Sequence, residues 1–215
     1  MMTTDKAIRI TAVRAVDNGA RLLLEIVHEN NGEVRRETLT LFAARLQEIP
    51  HTGTVNADTY AVFLQESRVC EAVTLGLRLL AFGDTSASKM VEKLRSRAVA
   101  PSVSREAVDL LIKNGYLDEK RGGLAAAKAD LFKLWGDKRI LAALAARGYR
   151  GEALAAVKEM LQGENSVLRC AKLIKKRRMA LPREEDEIAG FAAKLMRYGY
   201  SVREIKAALL ELDLV

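Results

Sequence analysis

Two rows of basic side chains are the residues in this sequence whose type and spacing could do chemistry. Lys89, Lys93 and Arg97 recur at i, i+4 and i+8, while Arg169, Lys172 and Lys176 recur at i, i+3 and i+7 with Lys175 beside them. On a helix each row becomes one polar stripe. The second stripe is expected opposite the apolar set Val167, Cys170, Ala171 and Ile174. Lys138 and Arg139 open a further helix. Such side chains hold phosphates or carboxylates through charge-assisted, salt-sensitive contacts and break no bonds themselves. An ordinary solvated helix face is the plain alternative for each row.

Groups that would do covalent work are missing from the pattern. The sequence has no Ser/His/Asp or Cys/His set, no metal-ligand spacing and no Gly-x-x-x-x-Gly-Lys-Ser/Thr loop. The expectation is therefore a protein that is not an enzyme and uses no cofactor. His28 and His51 stand alone, and Cys70 and Cys170 fit small buried apolar side chains. Trp135, the single tryptophan, fits a core anchor between helices. Charge is unevenly placed: residues 1–60 carry 7 Lys and Arg against 8 Asp and Glu, and residues 61–215 carry 28 against 20. The whole formal excess of +7 thus lies beyond residue 60. It suits an anionic partner, either nucleic acid or an acidic protein surface.

The elements that must carry these stripes are mostly helical. With 49% apolar residues and three prolines in 215, the chain can bury a core and favours helix. The apolar stretch from Ala72 to Phe82 is interrupted by Arg78 and is too short to span a bilayer, and the N-terminus lacks the pattern of a signal peptide. A cytoplasmic protein that does not engage membranes is expected. The first forty residues read as strands: 7–13, then Asp17-Asn18-Gly19 as a hairpin turn, 21–27, a second turn at Asn30-Asn31-Gly32, and 34–41. This predicts a three-stranded antiparallel meander, then a short helix from Ala43 to Ile49 and a loop at residues 51–54. From about residue 57 the period becomes helical. Val69, Ala72, Val73, Gly76, Leu77 and Leu80 form one stripe, and nine helices follow the strands. Ser201-Val202-Arg203-Glu204 fits a capping box, and Pro182 with the acids Glu184–Glu187 fits a first helical turn.

The nine helices fall into three sets of three. Leu94-Arg95-Ser96-Arg97-Ala98-Val99, Leu144-Ala145-Ala146-Arg147-Gly148-Tyr149 and Leu195-Met196-Arg197-Tyr198-Gly199-Tyr200 follow one another at 50 and 51 residues. Each closes a middle helix. The Gly-Tyr pairs predict left-handed glycine caps with tyrosine folded back on the last turn, and Ala98 predicts a cap that differs. The fold class expected is mainly α: three tandem three-helix repeats in an elongated, curved array, preceded by a small antiparallel β segment. The divisions are 1–56 for the β segment, 57–117 for a linking helix and the first repeat, 118–163 for the second and 164–215 for the third.

In order and spacing these motifs resemble the RecX family. Ser86, Lys93 and Leu94 match a first-repeat Ser-x-x-Glu-Leu-x-x-Lys-Leu pattern in which Lys89 replaces the glutamate. Gly115-Tyr116-Leu117-Asp118-Glu119 matches the repeat's Gly-aromatic-Leu-Asp-Asp close, but Lys120-Arg121-Gly122-Gly123 stand where an aromatic-Ala pair is usual. Gly136, Arg139, Ile140, Leu144 and Gly148 match the second repeat, and Tyr198-Gly199-Tyr200-Ser201 with Ile205 the third. Gly83 and Thr85 occupy positions where the family often has arginine.

The resemblance implies a regulator that lies in the groove of the RecA–DNA filament and lowers its ATPase, strand-exchange and coprotease activities. It further implies a place in homologous recombination, DNA repair and the SOS response, and a monomer whose partner is the RecA filament, with single- or double-stranded DNA as a further contact. Lys89, Lys93, Arg97, Lys138, Arg139, Arg169, Lys172, Lys175 and Lys176 are the expected contact residues. The residue pattern alone also fits a direct DNA-binding helical protein with helix-turn-helix-like units, or a helical scaffold for some other protein.

Overall fold

In a computed structural model of the chain, residues 6–30, 32–182 and 184–213 are described. Alternation builds the sheet. Strand β2 (Arg21–Asn30) buries Leu22, Leu24 and Ile26 on one face, between β1 (Lys6–Val16) and β3 (Glu33–Phe42). Asp17, Asn18 and Gly19 turn the chain with φ of 51°, 54° and 86°, as the turn chemistry predicts. Asn31 of the second expected turn lies outside the described residues.

The meander has a fourth member. Strand β4 (Gly53–Val55) pairs antiparallel with the open edge of β1, giving the order β3-β2-β1-β4, where a loop was expected. The helix expected from Ala43 to Ile49 is a single 3-10 turn over Ala43–Arg45, after which Leu46 returns to extended backbone and packs on the sheet core. Arg45, the last residue of that turn, is tied to two carboxylates. Its Nε donates to Glu66 at 2.6 Å, and its Nη2 pairs with Glu106.

Helix α1 (Ala57–Leu80) begins at Asn56, whose side chain accepts the Thr59 N–H. It packs along β3: Phe63 joins the core of Ile10, Leu24, Ile26 and Leu41, and Ser67 Oγ accepts the Thr40 N–H. Residue 56 is therefore no break in packing. Among the described residues eight further helices follow: α2 (Ala87–Arg95), α3 (Pro101–Lys113), α4 (Glu119–Phe132), α5 (Asp137–Ala146), α6 (Gly151–Gln162), α7 (Ser166–Lys176), α8 (Glu185–Arg197) and α9 (Val202–Asp213). Pro182 precedes α8 and does not sit in its first turn; Arg183 lies outside the described residues.

In each set of three, the first helix packs on the third: α1 on α3, α4 on α6, α7 on α9. Gly76 makes the first pairing close, since a Cβ there would stand 2.6 Å from Leu111 Cδ1. The chain divides into two compact units. One, Met1–Gly83 with Val91–Tyr116, holds the sheet, α1 and α3. The other, Asp84–Met90 with Leu117–Val215, holds the start of α2 and the helices α4 to α9. Two cores fill the second unit, one around Ile140, Leu144, Tyr149 and Val157, the other around Leu173, Leu195, Tyr200 and Ile205.

All three middle helices end the same way. The N–H groups of Val99, Tyr149 and Tyr200 reach back to the carbonyls of Leu94, Leu144 and Leu195 at 3.1–3.4 Å. Ala98, Gly148 and Gly199 take φ of 63°, 90° and 95°. This is the Schellman cap. The difference expected at Ala98 is absent: alanine adopts the same left-handed geometry without glycine.

Candidate functional site

The repeats of the second unit meet through their middle helices, end to end. Ser86 precedes α2, and its Oγ donates to the Arg147 carbonyl in the α5 cap at 2.7 Å while accepting the Lys89 N–H. Ser88 Oγ donates to the Gly148 carbonyl. The Ala87 N–H is taken by the Glu119 carboxylate at 2.8 Å.

One repeat on, the arrangement recurs. The Gly136 N–H, ahead of α5, donates to the Tyr198 carbonyl in the α8 cap at 2.7 Å, Arg139 Nη1 donates to the Arg197 carbonyl, and Tyr200 OH donates to the Leu134 carbonyl. Each joint sets the donor-rich start of one helix on the acceptor-rich end of the next. Neither cap glycine has room for a side chain. A Cβ on Gly148 would collide with Ser88 Oγ, and one on Gly199 would stand 2.5 Å from Arg139 N and 2.8 Å from the Gly136 carbonyl oxygen.

The second joint carries a ladder of alternating cations and rings. Lys133 Nζ lies 4.8 Å and Arg139 Cζ 4.0 Å from the Trp135 ring centre; Arg139 also lies 5.5 Å and Arg177 5.9 Å from the ring centre of Tyr198. Both rings are half-buried. Trp135 thus packs on the core of the second repeat, as expected of an anchor, and also presents a stacked, positively charged face. Lys138 beside it is exposed, as are Lys172, Lys175 and Lys176 on α7. Among the described residues none of these four lysines has an ion-pair partner, so their charge is available to an anion.

Arg169 departs from the expected stripe. It is only 6% exposed, its Nε donates to the Trp135 carbonyl at 3.0 Å, and its Nη2 pairs with Asp137. The start of α5 covers that flank of α7, so the guanidinium is an internal tie between repeats and is withdrawn from the set of contact residues. Burial raises the Asp137 carboxyl above its ordinary range despite this partner. At Glu204 burial pushes the same way, but hydrogen bonds from Ser166 and Ser201 outweigh it and hold the carboxyl below its ordinary range. Ser201 and Glu204 form the expected reciprocal capping box, with the Ser201 N–H 2.6 Å from the carboxylate and the Glu204 N–H 3.3 Å from Ser201 Oγ.

Of the other stripe, Lys89 is exposed and Lys93 half-exposed, but Arg97 lies past the end of α2 and folds back to the Lys93 carbonyl. Sequence reasoning missed Lys133, Arg177 and Tyr198 as members of one site. The i, i+4 spacing of Trp135 and Arg139 and the run Lys175–Arg178 were the available signals. Both cysteines are buried, and burial lifts the Cys170 thiol to about 12. Among the described residues no group of His, Cys, Asp and Glu could hold a metal ion, and no helix is long and apolar enough to cross a membrane.

No protein-family model matches the sequence, and no curated protein does. Solved structures do. A crystal structure of a regulatory protein RecX superposes with a TM-score of 0.68 at 16% identity, covering 94% of this chain and 98% of that one. RecX from Lactobacillus salivarius gives 0.59 at 18% identity, over 69% of this chain and 98% of its own. The strand-then-three-repeat order, the shared caps and these superpositions together establish that the chain has the fold of the RecX regulatory proteins.

Proposed function

We propose that this chain is a RecX-type regulator that binds RecA nucleoprotein filaments and restrains their ATPase, strand-exchange and coprotease activities, acting as a cytoplasmic monomer without catalysis of its own. The observation that carries this reading is the correspondence of fold over 94% of the chain and 98% of a RecX structure, β segment included. The charge map supports it. A filament of protein on DNA is an acidic, grooved partner, and Lys138, Arg139, Lys172, Lys175 and Lys176 with the Trp135 and Tyr198 rings offer dispersed cationic contacts. Many such contacts give affinity through number and complementarity, since area alone does not.

Titration of the purified chain into RecA turning over ATP on single-stranded DNA tests this. Inhibition is expected at protein levels too low to coat the DNA, weakening as salt rises. Tight binding to free DNA with RecA turnover unaffected would replace this reading with a direct nucleic-acid binder.

A further inference from the structure

A groove of about 450 Å³ opens between the end of α4 and the start of α7, apart from the cation–ring ladder. Its apolar lining is Leu131, Phe132, Leu134 and Leu168. Phe132 is 84% exposed and Leu168 47%. Single exposed apolar residues are ordinary, but two on one concave, mostly apolar surface mark a binding groove. The rim is cationic. Lys128 and Lys172 are exposed, and among the described residues neither has an ion-pair partner. Arg169, in the lining, keeps its Nη1 buried without a hydrogen-bond partner while its other nitrogens serve Asp137 and Trp135. Glu164 is the one acid among the lining residues.

We infer that this groove docks a short acidic protein segment bearing one large apolar side chain. The anchor would fill the space beside Phe132 and Leu168, and its flanking carboxylates would meet Lys128 and Lys172. Three aliphatic walls favour a peptide over a nucleic-acid base, which gains most from a flat ring on each face. The partner's sign follows from the rim, and the need for an anchor follows from the exposed phenylalanine.

Selection from a displayed random short-peptide library on the purified full chain tests this without RecA present, so the outcome is separate from the regulatory reading. Peptides that combine Asp or Glu with one Phe, Leu or Met are expected. Fluorescein-labelled copies should bind about tenfold or more weakly to Phe132→Ala, and more weakly to Lys128→Glu/Lys172→Glu, while Phe82→Ala, a 91% exposed phenylalanine in the other unit, binds like wild type. These positions are exposed, so melting curves should not move. Failure to enrich acidic peptides, equal binding by Phe132→Ala, or labelled oligo(dT) binding through Phe132 and displacing the peptides would each overturn the inference.

Discussion

Alanine at position 199 and glycine at position 98 separate two reasons for a helix-cap glycine. Both positions, like 148, hold left-handed backbone. An L side chain there costs roughly 1–2 kcal/mol. Ala98 already bears that cost, and glycine relieves it while adding about 0.4–1 kcal/mol of unfolded-chain entropy, so Ala98→Gly should stabilise by about 1 kcal/mol or less. Gly199→Ala incurs the conformational cost and a second one. Its Cβ would stand 2.5 Å from Arg139 N and 2.8 Å from the Gly136 carbonyl oxygen, so the joint must open. The Gly136 N–H to Tyr198 carbonyl bond, 2.7 Å long, is then lost, and a buried group left unpaired costs about 1–3 kcal/mol. The sum is about 2–5 kcal/mol, or roughly 5–15 °C in melting temperature at this chain length. Circular dichroism of urea and thermal unfolding reads both variants. If Gly199→Ala costs no more than Ala98→Gly gains, the caps need glycine for backbone conformation alone, and the end-to-end joint contributes nothing.

Other expectations follow from the same contacts. Arg169→Met should destabilise by about 3 kcal/mol, the low end for breaking a buried pair because Asp137 keeps partial contact with water. The carboxyl of Asp137 is already raised, so folding takes up a proton and its ionised form opposes folding; the variant's deficit should shrink as pH falls from neutrality into the carboxylate range, and a deficit that grows on acidification would contradict the assignment. Ser86→Ala should cost about 1 kcal/mol for the cap and more for the unpaired Arg147 carbonyl, read as a lower urea midpoint. Lys172→Glu, Lys175→Glu and Lys176→Glu together should leave folding within about 0.5 kcal/mol per site, and inhibition of RecA ATPase should drop, most visibly at low salt. Arg9→Glu with Arg36→Glu in the β segment is the control, and equal inhibition by both sets would make the α7 lysines a solvated face.

What was legible in the sequence was local. The Asp17-Asn18-Gly19 turn, the nine helices among the described residues and the Ser201/Glu204 box each depend on residues a few positions apart. The repeat was legible too, because the Leu-to-cap spacing recurs in the chain itself. What escaped depends on partners far away. Strand β4 forms because the edge of β1 is open, which no pattern in Gly53-Thr54-Val55 reveals. Arg169 falls on a polar stripe by periodicity, but the start of α5, more than thirty residues earlier, covers it. The Trp135–Arg139–Tyr198 ladder joins two repeats and is invisible within either.

Several of the residues that carried the family resemblance stand at the joints. Ser86, Glu119, Gly136, Arg139, Gly148, Gly199 and Tyr200 all bond or abut across a junction between helices. The joints demand small residues and donors at fixed spacing, whereas the helix faces demand only apolarity inward. At Lys89, where the resembled pattern has glutamate, the Ala87 and Lys89 N–H groups at the start of α2 are still satisfied. A capping-box glutamate there would reach back to the start of α2, but Glu119 already supplies a carboxylate to the Ala87 N–H, and Ser86 Oγ still accepts the Lys89 N–H. Gly148 and Gly199 each have a helix start pressed against them, within reach of any added Cβ. At Ala98, which closes the first middle helix, alanine holds the same left-handed backbone, so that cap carries a Cβ where the other two have none.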